Sequence, residues 1–228
     1  MQCLISLYMI IYRPYERNLM NKTPVLEVFS DYIWPWCYFI TGRIERLKRN
    51  YHVDIRWIAF PLHPEIPEDG LDIEKLLAGR PVDIDRMLAH FREAARKEGL
   101  PMVTRKKTYN SRLAQELGKW AEARGKGDQF HNAVFRSYFV DGKNIGNISE
   151  VVSVAESVGL SIKDAQNVLE TGAFKEAVDS DWSLSRTAGI TAVPTFIMNR
   201  RILIGAQPYE ALEELMKVNN VRKCGWYF

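Results

Sequence analysis

Residues 24–60 switch between two periodicities, and the order of the switch limits the topologies open to the chain. In PVLEVFSDY (24–32), Val25, Leu26, Val28 and Phe29 make a short apolar run of strand formers. Pro35 then stands where a helix would begin, a place that suits its fixed φ and missing N–H. A helix from Cys37 to Arg49 follows, with Phe39, Ile40, Ile44 and Leu47 as its inward stripe. HVDIRWIAF (52–60) alternates Val53, Ile55 and Trp57 as a second strand. The segment therefore reads β-α-β, and the tetrapeptide Trp34-Pro35-Trp36-Cys37 sits at the turn from strand to helix.

After the proline-rich connector PLHPEIPEDG the pattern becomes helical. DIDRMLAHFREAARKEGL carries Ile84, Met87, Leu88, Phe91, Ala94 and Ala95 at helical spacing, with Asp83 to cap it and Gly99 to stop it. Further helices are expected in 110–125, 128–142, 149–159, 161–172 and 173–189, the one from 161 opening on a Ser161-x-x-Asp164 capping pattern. They repeat at no fixed period, which excludes a solenoid. Trp120, Phe130, Phe135 and Trp182 read as the core of this block. Strands return at the end: TFIMN, a turn at Asn199-Arg200, and RILIG, closed by the amphipathic helix PYEALEELMKV. The whole order is βαβ, a helical block, then ββα.

Bulk properties narrow the function classes. A chain of 228 residues with 46% hydrophobic and 26% charged residues can bury a core without disulfides or metals. A net charge of +3 is too mild to argue for nucleic acid, and Arg105-Lys106-Lys107 is the only dense basic run. No apolar stretch approaches the ~18 residues of a membrane span. The three cysteines, Cys3, Cys37 and Cys224, make no disulfide framework and fit a reducing, cytoplasmic compartment. MQCLISLYMIIY is apolar but lacks a basic start and a cleavage site, and MNKTPVLEV from Met20 reads as a natural beginning. Residues 1–23 are accordingly expected to be an extension outside the domain. His52, His63, His90 and His131 show no metal-ligand spacing, so no metal is expected, and there is no phosphate-binding glycine motif. Asn110 reads as a helix cap.

Three stretches, SDYIWPWCYFITGRIERL, NSRLAQELGKWAEARGKGDQFHNAVFRSYFVDGKNIGN and AGITAVPTFIMNRRILIGAQPYEALEELM, resemble the DsbA-like thioredoxin-fold family. The likeness is narrower to the branch of FrnE-type proteins, hydroxychromene-carboxylate isomerase and kappa-class glutathione transferases, and it spans about residues 24–217. The resemblance implies an α/β thioredoxin fold: a discontinuous domain over 24–65 and 190–228, with an all-helical insertion over 66–189. It also implies a cis peptide before Pro194, with Val193 offering backbone groups to an extended substrate or to glutathione. The partners it implies are thiol or disulfide substrates, with glutathione a possible co-substrate and no other cofactor. An oligomer is compatible with it.

The family motif has two cysteines. The first attacks a substrate disulfide as a thiolate stabilised at a helix N-terminus, and the second resolves the mixed disulfide. Here Trp34 occupies the first position, where the isomerase and transferase relatives carry serine. An indole has one N–H donor and no nucleophilic atom. Cys37, the candidate catalytic residue, is left in the resolving position. Three readings stay open. Cys37 is a small buried hydrophobe; or it retains thiol or glutathione-linked chemistry; or the groove between Trp34-Pro35-Trp36-Cys37 and Val193-Pro194 binds a ligand without redox turnover.

Overall fold

A computed structural model describes residues 23–225. The expected extension, including Cys3, lies outside the described residues apart from Thr23, as do residues 226–228. One four-stranded sheet organises the chain: β1 (Val25–Ser30), β2 (Asp54–Ala59), β5 (Thr195–Met198) and β6 (Arg201–Ile204), in the order β2-β1-β5-β6. β1 and β2 are parallel, Phe29 opposite Ile58, and joined by α1 (Pro35–Phe39) and α2 (Thr41–Asn50). β5 runs antiparallel to both neighbours. The hairpin turns at Asn199, whose φ of 55° lies in the left-handed region that asparagine tolerates.

The pleat sorts side chains between two cores. Leu26 and Val28 of β1 and Phe196 and Met198 of β5 point to α2 and to α10 (Tyr209–Val218), where Ile44, Leu47, Leu212 and Met216 meet them. Phe29, Ile58 and Ile197 point the other way, into a larger cluster that runs through the insertion. Each such fully buried aliphatic or aromatic side chain contributes about 1.5–3 kcal/mol relative to exposure.

Between β2 and β5 lie α3 (Ile73–Leu76), α4 (Ile84–Lys97), α5 (Arg112–Ala123), α6 (Gly127–Phe139), α7 (Ile148–Ser157), α8 (Ile162–Thr171) and α9 (Lys175–Thr187). Asp83 accepts from the Arg86 N–H and Ser161 from the Asp164 N–H, so both caps form as their sequence patterns suggest. Trp120, Phe130 and Phe135 are core; Trp182 is not. It is part-exposed, its indole N–H donates to Gln115 Oε1 at 2.9 Å, and the Arg112 guanidinium lies 4.7 Å from its ring. An indole that can satisfy its N–H at a rim does so there.

Two further expectations are corrected. The insertion is not all-helical: β3 (Leu71–Asp72) pairs antiparallel with β4 (Lys107–Thr108). Two residues are too few to carry a strand periodicity, so the pairing leaves no pattern to read in the sequence. It also demands Gly70, where φ is 83° and an added Cβ would meet Thr108 O at 2.8 Å. The first helix is also broken. Ile40 interrupts it, and the Tyr38 carbonyl there accepts from the Thr41 hydroxyl at 2.8 Å and from the Ile40 N–H. This hydroxyl competition ends α1 after five residues.

Candidate functional site

The turn after β1 is built on its own backbone. Trp34 has extended dihedrals at the start of α1, its N–H donates to Asp31 O at 3.2 Å, and its carbonyl accepts from the Cys37 N–H at 3.0 Å. Pro35 takes the first helical position, where no N–H is needed. The helix turns Cys37 inward, and the residue is 0% exposed. Burial pushes its thiol up to about 12, against the Asp31 backbone N–H and the Ser30 hydroxyl that face the sulfur. A neutral thiol follows at physiological pH, the reverse of an activated nucleophile. Cys224 lies far from it, its N–H bonded to the carbonyl of Asn50 at the C-terminal end of α2.

Trp34 and Trp36 are half-buried and turned toward the insertion. Trp34 meets Phe91 of α4 edge-on at 6.1 Å, and Trp36 packs against Phe39, His90 and Phe91. On the far side of the site the Val193–Pro194 peptide is cis. The Pro194 carbonyl accepts from the Gly205 N–H at 2.7 Å, and Thr195 Oγ1 donates to Ala192 O at 2.7 Å, which tightens the loop. Thr195 pairs with Phe29, so the register carries Pro194 to the level of Ser30. Val193 joins the same apolar cluster as Cys37. Among the described residues its backbone N–H and C=O make no backbone hydrogen bond.

Beneath the turn lies a polar network that the sequence reading did not find. Asp31 is buried, and its carboxylate oxygens accept from the Ile33 N–H at 3.1 Å, the Leu62 N–H at 3.0 Å and Gln115 Nε2 at 3.4 Å. Desolvation nonetheless raises its pKa above the usual carboxylate range. Gln115 also donates to Phe60 O and Ser111 Oγ, which ties α5 to the end of β2. Asn110 adds to this anchoring: its side-chain amide donates to Pro64 O and Ile66 O, and its Oδ1 accepts from the Arg112 N–H. The one sequence signal was Asp31 itself, an acid placed directly after an apolar strand.

A second polar cluster surrounds His131. Its ring stacks on Trp57 at 3.6 Å, and Nδ1 lies 3.2 Å from the Tyr32 hydroxyl. Burial lowers the imidazole to about 3, so the ring is neutral. Its Nε2 and Ser30 Oγ have no hydrogen-bond partner of ordinary geometry, and both residues line a cavity of about 20 Å³, room for a single water.

A larger cavity lies on the Trp34 side of the turn. It holds about 350 Å³ between Ile33, Trp34 and Pro35, the loop at Leu62-His63, helices α3 and α4, and the segment 102–105. That size and its apolar walls fit a small-molecule site. Trp34 and Pro35 of the motif line it; Cys37, Val193 and Pro194 do not.

Residues 25–217 match the family model described as a DSBA-like thioredoxin domain. The uncharacterized protein YwbO of Bacillus subtilis (strain 168) is 28% identical over 203 residues, 87% of this chain and 98% of that one. A probable DsbA oxidoreductase from Streptomyces coelicolor superposes with a TM-score of 0.79 at 24% identity, over 90% of this chain and 94% of that one. A 2-hydroxychromene-2-carboxylate isomerase superposes with a TM-score of 0.68 at 20% identity, over 86% and 96%. Both superpositions bear on the fold alone.

Proposed function

The chain belongs to the DSBA-like thioredoxin domain family, and from that premise we propose that its site binds a ligand without dithiol turnover, Cys37 serving as a packing residue. The observation that carries this reading is the state of Cys37: buried and neutral, with a thiol pushed up to about 12, while Trp34 stands at the position where the family's attacking sulfur would be. Thiol exchange needs a thiolate that a substrate can reach. The half-buried face that Trp34 turns to the 350 Å³ cavity is where a ligand meets the motif. Among the described residues no helix is long and apolar enough to cross a membrane; a cytoplasmic location agrees with the sparse cysteines.

One observation favours a second reading, glutathione-linked isomerase or transferase chemistry. The Val193 backbone groups beside the cis peptide are free of backbone partners, which suits an extended peptide such as glutathione. Two measurements separate the readings. Insulin reduction by the wild-type protein, abolished by Cys37→Ala, would overturn the non-redox reading; no turnover above the uncatalysed rate is expected. The second reading requires a saturable thermal shift with millimolar glutathione, and its absence would remove that reading.

A further inference from the structure

The cavity beside Trp34 has a lopsided chemistry. Ile33, Leu62, Leu76, Leu77, Met87 and Met102 give it mainly aliphatic walls, with the rings of Trp34 and Phe91 at one side. Its charged lining is all of one sign: Arg80, Arg92 and Arg105 border it, and no aspartate or glutamate does. Arg80 and Arg92 are exposed to solvent. Arg105 is different. Its guanidinium carbon lies 3.7 Å from the centroid of the Tyr138 ring and 4.7 Å from that of Phe139. Its Nε and Nη1 are sealed from solvent and meet no acceptor. Among the described residues it forms no salt bridge.

A guanidinium that is partly desolvated and unpaired is costly to hold, and an anion would offset that cost. The group is also preorganised. Tyr138 is fully buried, and its hydroxyl is fixed at 2.9 Å from Thr108 Oγ1, so the aromatic platform holds the planar fork in one orientation. Its third nitrogen, Nη2, is not among the sealed atoms, and this is the end of the fork that a carboxylate oxygen can reach. The walls choose the rest of the ligand. Leucine, isoleucine and methionine side chains offer dispersion contact and no hydrogen bonds, the surroundings an alkyl chain requires.

We propose that this cavity binds an aliphatic monocarboxylic acid, its carboxylate on Arg105 and its chain along the Leu76, Leu77 and Met87 wall. The proposal rests on the ligand-binding reading above and names the ligand class. The motif's role is then to close one side of the cavity with Trp34. His63, which also lines it, is held by Glu65 at 3.0 Å and is not the carboxylate's partner.

The test is isothermal calorimetry of the full chain with decanoate, with decanol of the same chain length, and with benzoate. Decanoate should bind saturably, and more tightly than decanol or benzoate by about tenfold or more, since a charge-assisted pair is worth roughly that factor. Arg105→Met keeps an unbranched stem on the Tyr138 ring and removes the charge. It should weaken decanoate to the level of decanol and leave decanol unchanged. Should that variant not fold, Leu77→Trp, which fills the cavity from a part-exposed position, should abolish binding of both. Equal affinity for decanoate and decanol, an Arg105→Met protein that retains decanoate binding, or no binding of decanoate at millimolar concentration each overturns the proposal. Preference for benzoate overturns the aliphatic assignment. Glutathione binding without decanoate binding would leave a ligand site and remove this ligand; redox turnover through Cys37 would instead remove the premise.

Discussion

The ring of Trp34 meets the ring of Phe91 edge to face, with centroids 6.1 Å apart and planes 73° to each other. This pair joins the motif turn to helix α4 of the insertion, and both rings line the 350 Å³ cavity. A sulfur at position 34 would have no such reach. The tryptophan at position 34 therefore adds a structural contact, and an edge-to-face pair of this kind is worth about 0.5–1.5 kcal/mol beyond its buried area.

Trp34→Cys exchanges the contact for a second thiol. In wild-type protein, Cys37 should resist alkylation by iodoacetamide at neutral pH until the chain is denatured, because its thiol is buried and protonated. In the variant, oxidation should link residues 34 and 37, and insulin reduction should rise above background. Stability should fall by about 1–3 kcal/mol for the lost indole packing. Peptide mapping after alkylation and urea unfolding measure the two effects. Rapid alkylation of Cys37 in the native wild type would refute the buried-thiol account.

His131 should impose a pH dependence on stability. Its folded pKa, lowered to about 3, lies below the ordinary value of about 6.5 for an unfolded histidine. Between these values the unfolded chain binds a proton that the folded chain refuses. Stability therefore falls as pH drops from 6.5 toward 3, with a slope approaching 1.4 kcal/mol per pH unit from this group. Asp31, whose pKa is raised by burial, acts with the opposite sign, because there the folded state holds the proton. The difference between wild type and His131→Phe isolates the histidine. Urea unfolding across pH 4–7 should show a steeper acid loss in the wild type, and parallel curves would count against a neutral buried imidazole.

Gly118→Ala tests how tightly α5 approaches the site. A Cβ there would lie 2.8 Å from the Tyr32 hydroxyl, the same group that His131 Nδ1 faces at 3.2 Å. Alanine has the better helix propensity by about 1 kcal/mol, so an open position would be stabilised. Here overpacking should win, and the net loss should be about 1–3 kcal/mol. A shift in thermal midpoint gives the sign directly; a rise would show that Tyr32 yields without cost.

How much of this was legible in the sequence depended on how local the cause was. The periodicities of 24–60 and the caps Asp83 and Ser161 are local, and the strands, helices and their order follow from them. The break at Ile40 was missed because the amphipathic stripe runs straight through it, while the cause is one hydroxyl, Thr41, competing for a carbonyl. The β3–β4 pair was missed because two-residue strands have no pattern to read.

The same divide runs through the candidate site. Position decided by sequence neighbours could be read in advance: Trp34, Pro35, Trp36 and Cys37 had to sit at a strand-to-helix turn, with a single cysteine among them. What surrounds that turn comes from residues far along the chain. Gln115, His131 and Arg105 looked like an ordinary helix residue, a packing histidine and part of a basic loop. Burial made the first an anchor for Asp31, the second a neutral base, and the third an unpaired cation on an aromatic platform. Sequence alone determined which groups this protein carries and the order of its elements. Only the tertiary structure decided which of those groups lose their water, because desolvation depends on every segment that closes over a site, and that is what sets a thiol's protonation and a guanidinium's need for a partner.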